Sequence, residues 1–177
     1  MFPQLETDRL RLRKIQLDDA EQIYAYFSKD EVNQYYGQDA FTSVKQAEDL
    51  IGIFAASYEE KKGIRWGIES KETNELIGTI GFHQMSSRHR RAEIGYELHP
   101  QYWGKGYASE AVSAAASYGF DVMELTRIAA VVFLKNDASN HLLMKLGFER
   151  EGILRNYMYQ NGQAHDTYIY SLLKEGQ

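Results

Sequence analysis

The stretch Gln101-Tyr102-Trp103-Gly104-Lys105-Gly106-Tyr107-Ala108 decides the fold. Before it lies an alternating segment, 91–99, which reads as a strand. After it, residues 110–120 are rich in alanine and read as a helix. Glycines at 104 and 106 let the backbone approach a ligand closely, and the free N–H groups opening the next helix point at an anion. A pyrophosphate suits that geometry; so does a glycine turn with no ligand at all. Two known nucleotide loops are excluded. The dinucleotide fingerprint wants a third glycine where Ser109 stands. The Walker loop wants four residues between its glycines, then Gly-Lys-Ser/Thr, and the chain has neither.

Working outward toward the N-terminus, residues 64–69 and 76–82 form strands around the turn Ser70-Lys71-Glu72-Thr73-Asn74. Strand 91–99 follows through a polar connection containing Arg88, His89 and Arg90. Residues 7–15 alternate, with Leu10 and Leu12 on one face and Arg9, Arg11 and Arg13 on the other, predicting a strand with an arginine-rich exposed face. Helices are predicted over 18–28, with an acidic first turn, and over 43–58, with Ser43 as N-cap. Toward the C-terminus, 127–134 is a continuous apolar run, as in a strand buried on both faces. A helix opens at Asn136 or Asp137, carries Leu142, Leu143 and Leu146, and stops at Gly147. The last strands are 148–153 and 168–173, with a hairpin turn at Asn161-Gly162. The order is mixed α/β: an antiparallel meander, then a strand–loop–helix–strand crossover.

Composition narrows the function classes. A chain of 177 residues, 44% hydrophobic and 25% charged, has the balance of one folded domain spanning 1–177 rather than a disordered chain. Its net charge of −5 argues against a broad electrostatic grip on nucleic acid or anionic membrane. With no cysteine, disulfides, thiolate zinc sites and a cysteine nucleophile are excluded. The five histidines make no metal-ligand spacing, so no metal site is expected. The opening MFPQLETDRLRLRK lacks an apolar signal region, and a cytoplasmic protein is expected.

Four blocks in order carry a resemblance. They are Thr7-Asp8-Arg9-Leu10-Arg11-Leu12-Arg13; then Ala92-Glu93-Ile94-Gly95-Tyr96-Glu97-Leu98 with Tyr102-Trp103-Gly104-Lys105-Gly106-Tyr107-Ala108-Ser109-Glu110-Ala111; then Asn136-Asp137-Ala138-Ser139 with Leu146-Gly147-Phe148; and finally Asn161-Gly162 and His165-Asp166 before Tyr170-Ser171-Leu172-Leu173. Together with the pattern Gln/Arg-x-x-Gly-x-Gly/Ala beginning at Gln101, they resemble the GNAT superfamily of acetyl-CoA-dependent N-acetyltransferases. The chain is most similar to the RimJ/RimL branch, which acetylates the N-termini of ribosomal proteins. The resemblance implies a mixed, mostly antiparallel central sheet with helices on both faces and one splayed strand pair. The strands ending at Leu98 and starting at Arg127 would part. The pantetheine arm of acetyl-CoA would lie in the gap against backbone near Glu97, Leu98 and His99. The pyrophosphate would sit on the N–H groups of Gly104, Lys105, Gly106, Tyr107, Ala108 and Ser109, in the motif opened by Gln101 and Trp103. Asn136 resembles the residue that bonds to the arm from the crossover side, and it can cap its helix as well.

Acetyl transfer needs an amine that loses a proton, attack on the thioester carbonyl, and a thiolate that leaves. Without cysteine no acyl-cysteine intermediate can form, and no signature activates an acyl-serine, so direct transfer in a ternary complex is expected. A backbone N–H in the splayed strand would hold the oxyanion. Glu93 occupies the position where some GNAT enzymes carry a catalytic base; the other reading is a structural carboxylate bonded to Arg91 or backbone. Many superfamily members place a tyrosine acid where this chain has Leu143, which leaves Ser139 as the nearest substitute, or as a serine that only satisfies backbone. Tyr35, Tyr36, Trp66, Phe82, Tyr157 and Tyr159 either line an acceptor pocket or belong to the core. His165 and Asp166 are expected only to brace the hairpin turn. The acceptor is read as a protein N-terminal α-amine, ribosomal or other. A polyamine, an aminoglycoside, or a non-catalytic acyl-CoA-binding role stand as alternatives, and the protein would be a monomer or homodimer.

Overall fold

The computed structural model describes residues 1–176. Its strands are β1 (Leu5–Glu6), β2 (Leu10–Lys14), β3 (Ile64–Ser70), β4 (Leu76–Ser86), β5 (Arg91–Leu98), β6 (Arg127–Phe133), β7 (Glu149–Gln160) and β8 (Gln163–Leu173). Its helices are α1 (Ala20–Phe27), α2 (Asp30–Asn33), α3 (Val44–Glu59), α4 (Tyr107–Asp121) and α5 (Asp137–Lys145). The eight strands form one sheet in the order β1-β2-β3-β4-β5-β6-β8-β7. Every pairing is antiparallel except β5 with β6. The parallel pair is where the chain crosses over through α4, as a parallel connection requires.

Both faces of the sheet are covered. The neighbours Leu76 and Ile77 point into different apolar clusters, as adjacent strand residues must. One cluster joins Ala111, Val112, Ala115 and Ala116 of α4 to Trp66, Ile80, Phe82 and Ile94 of the sheet. The small side chains allow close approach; a Cβ on Gly119 would stand 3.0 Å from the Phe82 ring. The other cluster packs α1 and α3 through Ile23, Tyr26, Phe27, Ala47 and Ile51. Strand β6 is buried over nearly all its length, in keeping with its unbroken apolar run.

The decisive feature is that β5 and β6 pair only at Arg91–Arg127, Ala92–Ile128 and Glu93–Ala129. Beyond Glu93, β5 stays paired to β4 as far as Leu98, and β6 stays paired to β8 as far as Phe133. Each is held by its outer neighbour, so a gap opens between them.

Several expectations need correction. The face carrying Arg11 and Arg13 is not free surface: both donate to the buried Glu69, and Arg13 also grips Asp19 through two bonds of 2.9 Å. Helix α4 begins at Tyr107, three residues before the alanine-rich stretch. The last hairpin is longer than its apolar ends suggested, with β7 and β8 pairing through polar residues up to the turn at Asn161-Gly162.

Candidate active site

Two cavities flank the gap. The larger, about 720 Å³, runs from the end of β5 past the glycine loop to the start of α5. The smaller, about 420 Å³, lies between β3, β4, β5, β6 and α3. They share Tyr35, Tyr36, Tyr96, Asn136 and Ser139. A strap borders both of them through Tyr35 and Tyr36. The Gly37 N–H donates to Gln160 Oε1 at 3.0 Å, Gln160 Nε2 donates to the Asn33 carbonyl, and the Asn161 N–H donates to Asp39 Oδ1 at 3.1 Å. These bonds tie the segment after α2 to the tip of the β7–β8 hairpin.

In the larger cavity the backbone supplies the polar groups. The His99 N–H donates to the Ile77 carbonyl at 2.7 Å, so the odd-numbered residues of β5 turn their amides toward β4. Ile94, Tyr96 and Leu98 turn theirs toward the gap. The Leu98 carbonyl is taken by Trp103 Nε1 at 2.9 Å, which folds the loop back on the strand. Gly104 and Gly106 have φ of 72° and 82°, the left-handed region that glycine tolerates. Gly106 is the N-cap of α4 and offers no side chain, so the first N–H groups of the helix have no side-chain cap. Arg9 braces this loop from the opposite side: its Nη1 donates to the Lys105 carbonyl at 2.9 Å, and its guanidinium lies 4.2 Å from the Tyr107 ring centre.

Of the residues singled out in the sequence, Glu97, Leu98, Trp103, Gly104, Gly106, Tyr107, Ala108, Asn136 and Ser139 line this cavity. His99, Gln101, Lys105 and Ser109 do not; His99 Nδ1 instead accepts from the Gln101 N–H. Asn136 caps α5, its Oδ1 accepting from the Ser139 N–H at 3.3 Å. The Ser139 hydroxyl accepts from the Tyr96 phenol at 3.1 Å. Burial pushes that phenol up to about 12, so it stays protonated. Neither Tyr96 nor Arg9 was assigned a role from sequence. The motif contains Tyr96, but only the fold brings it against α5.

The smaller cavity is mostly aromatic and aliphatic, including Tyr35, Phe54, Phe82, Phe133 and Met158. Its charged or ionisable wall consists of Arg65, His83 and Glu93 beside the tyrosines. Arg65 reaches across the sheet from β3. It donates to Thr79, to the Gly95 carbonyl at 3.0 Å, to the Tyr36 hydroxyl at 2.9 Å and to Glu97. Glycine at 81 clears the path, because a Cβ there would lie 2.9 Å from Arg65 Cδ. Glu97 also accepts from Tyr26 at 2.9 Å, from Tyr36 at 2.8 Å and from Thr79. Its carboxylate is thus the centre of a buried network, and its amide, like those of the other odd-numbered residues of β5, turns toward β4. Burial works against the Arg65 charge, but Tyr36, Glu97 and Tyr26 outweigh that and keep it protonated.

Glu93 lines the smaller cavity, and its side-chain partner is His83, with Nε2 3.3 Å from Oε2, in place of Arg91. Its charge also raises the Tyr157 phenol on β7. Trp66 is core, fully buried with Nε1 donating to the Pro3 carbonyl, and Tyr159 is exposed. Tyr35, Tyr36 and Phe82 do line the cavity. Leu143 is buried in its wall, so no hydroxyl comes from that position. His165 stacks on Phe133, and Asp166 accepts from the Asn156 N–H at 2.8 Å, bracing a bulge in β7 rather than the hairpin turn. Among the described residues no three His, Asp or Glu side chains gather into a metal-binding group, and no helix is long and apolar enough to cross a membrane.

Comparison with known proteins places this geometry in context. Residues 9–149 match the family model described as an acetyltransferase (GNAT) domain. An uncharacterised N-acetyltransferase of Bacillus subtilis (strain 168), YoaA, is 59% identical over 174 residues, 98% of each chain. The spermidine N(1)-acetyltransferase of Escherichia coli (strain K12) is 28% identical over 158 residues, 89% of this chain and 82% of that one. Among solved structures, the ribosomal-protein-S5-alanine acetyltransferase of Vibrio fischeri superposes with a TM-score of 0.85 over 98% of each chain; at 23% identity the likeness is one of fold.

Proposed function

The chain belongs to the GNAT acetyltransferase family, and from that premise we propose that it transfers the acetyl group of acetyl-CoA to a protein N-terminal α-amine by direct attack in a ternary complex. The observation that carries this reading is the parting of β5 from β6, with one cavity on each side and Tyr96 and Ser139 between them.

The larger cavity has what acetyl-CoA needs. The uncapped N–H groups of Gly106, Tyr107 and Ala108 suit a pyrophosphate, helped by the α4 dipole. Gap-facing amides of Ile94 and Tyr96 offer the pantetheine arm a strand-like partner, and one of these N–H groups holds the oxyanion. Asn136 adds its side-chain amide from the α5 side. Ser139 has its oxygen engaged by Tyr96, which leaves its own proton for the departing sulfur. Glu93 accepts the proton of the amine, directly or through one water.

The acceptor choice follows from charge. Glu93 is the one carboxylate among the residues lining the smaller cavity, and no arginine pairs with it. That suits a single ammonium group entering an aromatic-lined site, as an α-amine does. A polyamine carries several charges and would call for several free carboxylates. The small-amine reading is kept as the second, on the strength of the spermidine acetyltransferase relative. Measuring CoA release with a library of free N-terminal peptides, polyamines and aminoglycosides tests both. Transfer only to the small amines would reject the α-amine assignment.

A further inference from the structure

The proton balance of this reaction calls for an exit. An acceptor that enters as R–NH3⁺ and leaves as an acetylated amide gives up two protons. One ends on the thiolate and the other must reach solvent in every turnover. Glu93 faces the cavity with a side chain only 18% exposed, and an acceptor bound there would cover part of what remains. Opposite it, at the last regular β4–β5 pair before a bulge, stands His83. The His83 side chain is 51% exposed, and its Nε2 is 3.3 Å from Glu93 Oε2. The ring has room because residue 95 is glycine: a Cβ there would lie 3.2 Å from His83 Cε1.

Resting on the acetyltransferase reading above, we infer that His83 and Glu93 form a proton-exit pair from the acceptor cavity. The N–H bond of the ammonium breaks as an O–H bond forms on Glu93. That O–H bond then breaks as an N–H bond forms on His83 Nε2, and the imidazolium releases the proton to water. Nothing is oxidised or reduced. His83 acts through Glu93 and does not touch the reacting atoms, so it is a positioning and relay residue. The ionisable groups facing it are Glu93 from β5, Arg65 from β3 and Tyr157 from β7; α3 presents Ile53, Phe54 and Ser57, none of them charged.

The test uses His83→Gln, which keeps a hydrogen-bonding amide without titrating, and His83→Ala, which leaves space for a diffusible base. Turnover with acetyl-CoA and a peptide amine should fall about 10-fold in both, less than the roughly 10²-fold or more that a group acting directly on the reacting atoms supplies. KM for acetyl-CoA and the melting temperature should stay unchanged. Imidazole added to His83→Ala should restore most of the rate, and Glu93→Gln/His83→Gln should be no slower than Glu93→Gln alone, because the two act in series. Wild-type rates in both variants, a loss that imidazole does not relieve, or fully multiplicative losses in the double variant would each overturn the pair. A wild-type protein that binds acetyl-CoA yet acetylates no amine would instead reject the acetyltransferase reading, and the exit pair with it.

Discussion

The Tyr96 phenol donates to Ser139 Oγ at 3.1 Å, joining the splayed strand β5 to the first turn of α5 where the two cavities meet. A hydroxyl whose oxygen already accepts keeps its own hydrogen for another partner. On the proposed mechanism Ser139 donates toward the sulfur, with a second proton behind it. Ser139→Ala should lower kcat by about 10²-fold, and Tyr96→Phe by a smaller factor, while the affinity for acetyl-CoA stays close to wild type. Steady-state CoA release with calorimetric binding measures both. If neither variant loses turnover, the contact is only part of the wall.

Acetyl-CoA should stabilise the folded chain. At about 100 times its dissociation constant, linkage adds roughly 2.7 kcal/mol, which for a domain of this size raises Tm by about 5–10 °C. Gly106→Val should remove most of that shift. A valine there would be forced to φ near 82°, and its Cβ would stand 3.2 Å from Arg9 Nη2, the guanidinium that braces the loop. A thermal melt with saturating ligand and no shift in the wild type would remove the basis for assigning acetyl-CoA to the larger cavity.

Glu93→Gln separates a base from a structural carboxylate. As a base, its loss should cost about 10²-fold or more in kcat at neutral pH and should abolish the acidic limb of the pH–rate profile. Since Glu93 lies in the smaller cavity only, the dissociation constant for acetyl-CoA should not move. A retained acidic limb would return Glu93 to a structural role.

The buried pair of Arg65 and Glu97 gives a stability prediction. Their side chains are 9% and 4% exposed. Removing one partner leaves a buried charge uncompensated, so Arg65→Met should destabilise the fold by about 3–5 kcal/mol. Arg65→Met with Glu97→Gln should recover part of that loss, because the stranded charge is gone. Urea unfolding of the two variants reads the difference, and equal stability of the single variant and the wild type would show the network to be dispensable.

Much of this architecture was legible because it is written in local pattern. The alternation at Leu10 and Leu12, the apolar run of β6, the glycines at 104 and 106 and the Asn161-Gly162 turn each report on their own neighbourhood. Charges that pair across the sheet do not. Arg11 and Arg13 looked like a solvated face because Glu69, their partner, is 58 and 56 residues away. Glu97 was read for its backbone, and nothing near it in the chain announces Arg65, Tyr26 or Tyr36. Short or irregular pieces also escaped. The two residues of β1 and the four of α2 are too few to show a period, although the segment after α2 forms half of the strap to the β7–β8 hairpin. His83 was one histidine among five until the β4–β5 register set it opposite Glu93.

The acceptor prediction rests on both pKa and site charge. An α-amine titrates near 7.7–8.0 against about 10.4 for a lysine side chain, so at neutral pH it is far more often the neutral nucleophile. The smaller cavity, about 420 Å³ and walled in part by Tyr35 and Tyr36 of the strapped segment, suits the first residue of an extended peptide better than a long flexible side chain inserted midway along a chain. Short peptides with a free N-terminus should therefore be acetylated. Blocking that amine should abolish transfer even when a lysine stands further along the peptide. Gln160→Ala should loosen the strap, raising KM for the peptide more than KM for acetyl-CoA, because its bonds to Asn33 and Gly37 hold the segment that carries Tyr35 and Tyr36. Mass spectrometry of the product locates the acetyl group directly. Modification of the internal lysine with the α-amine left free, or transfer confined to polyamines, would contradict this assignment of the acceptor and leave the use of acetyl-CoA standing.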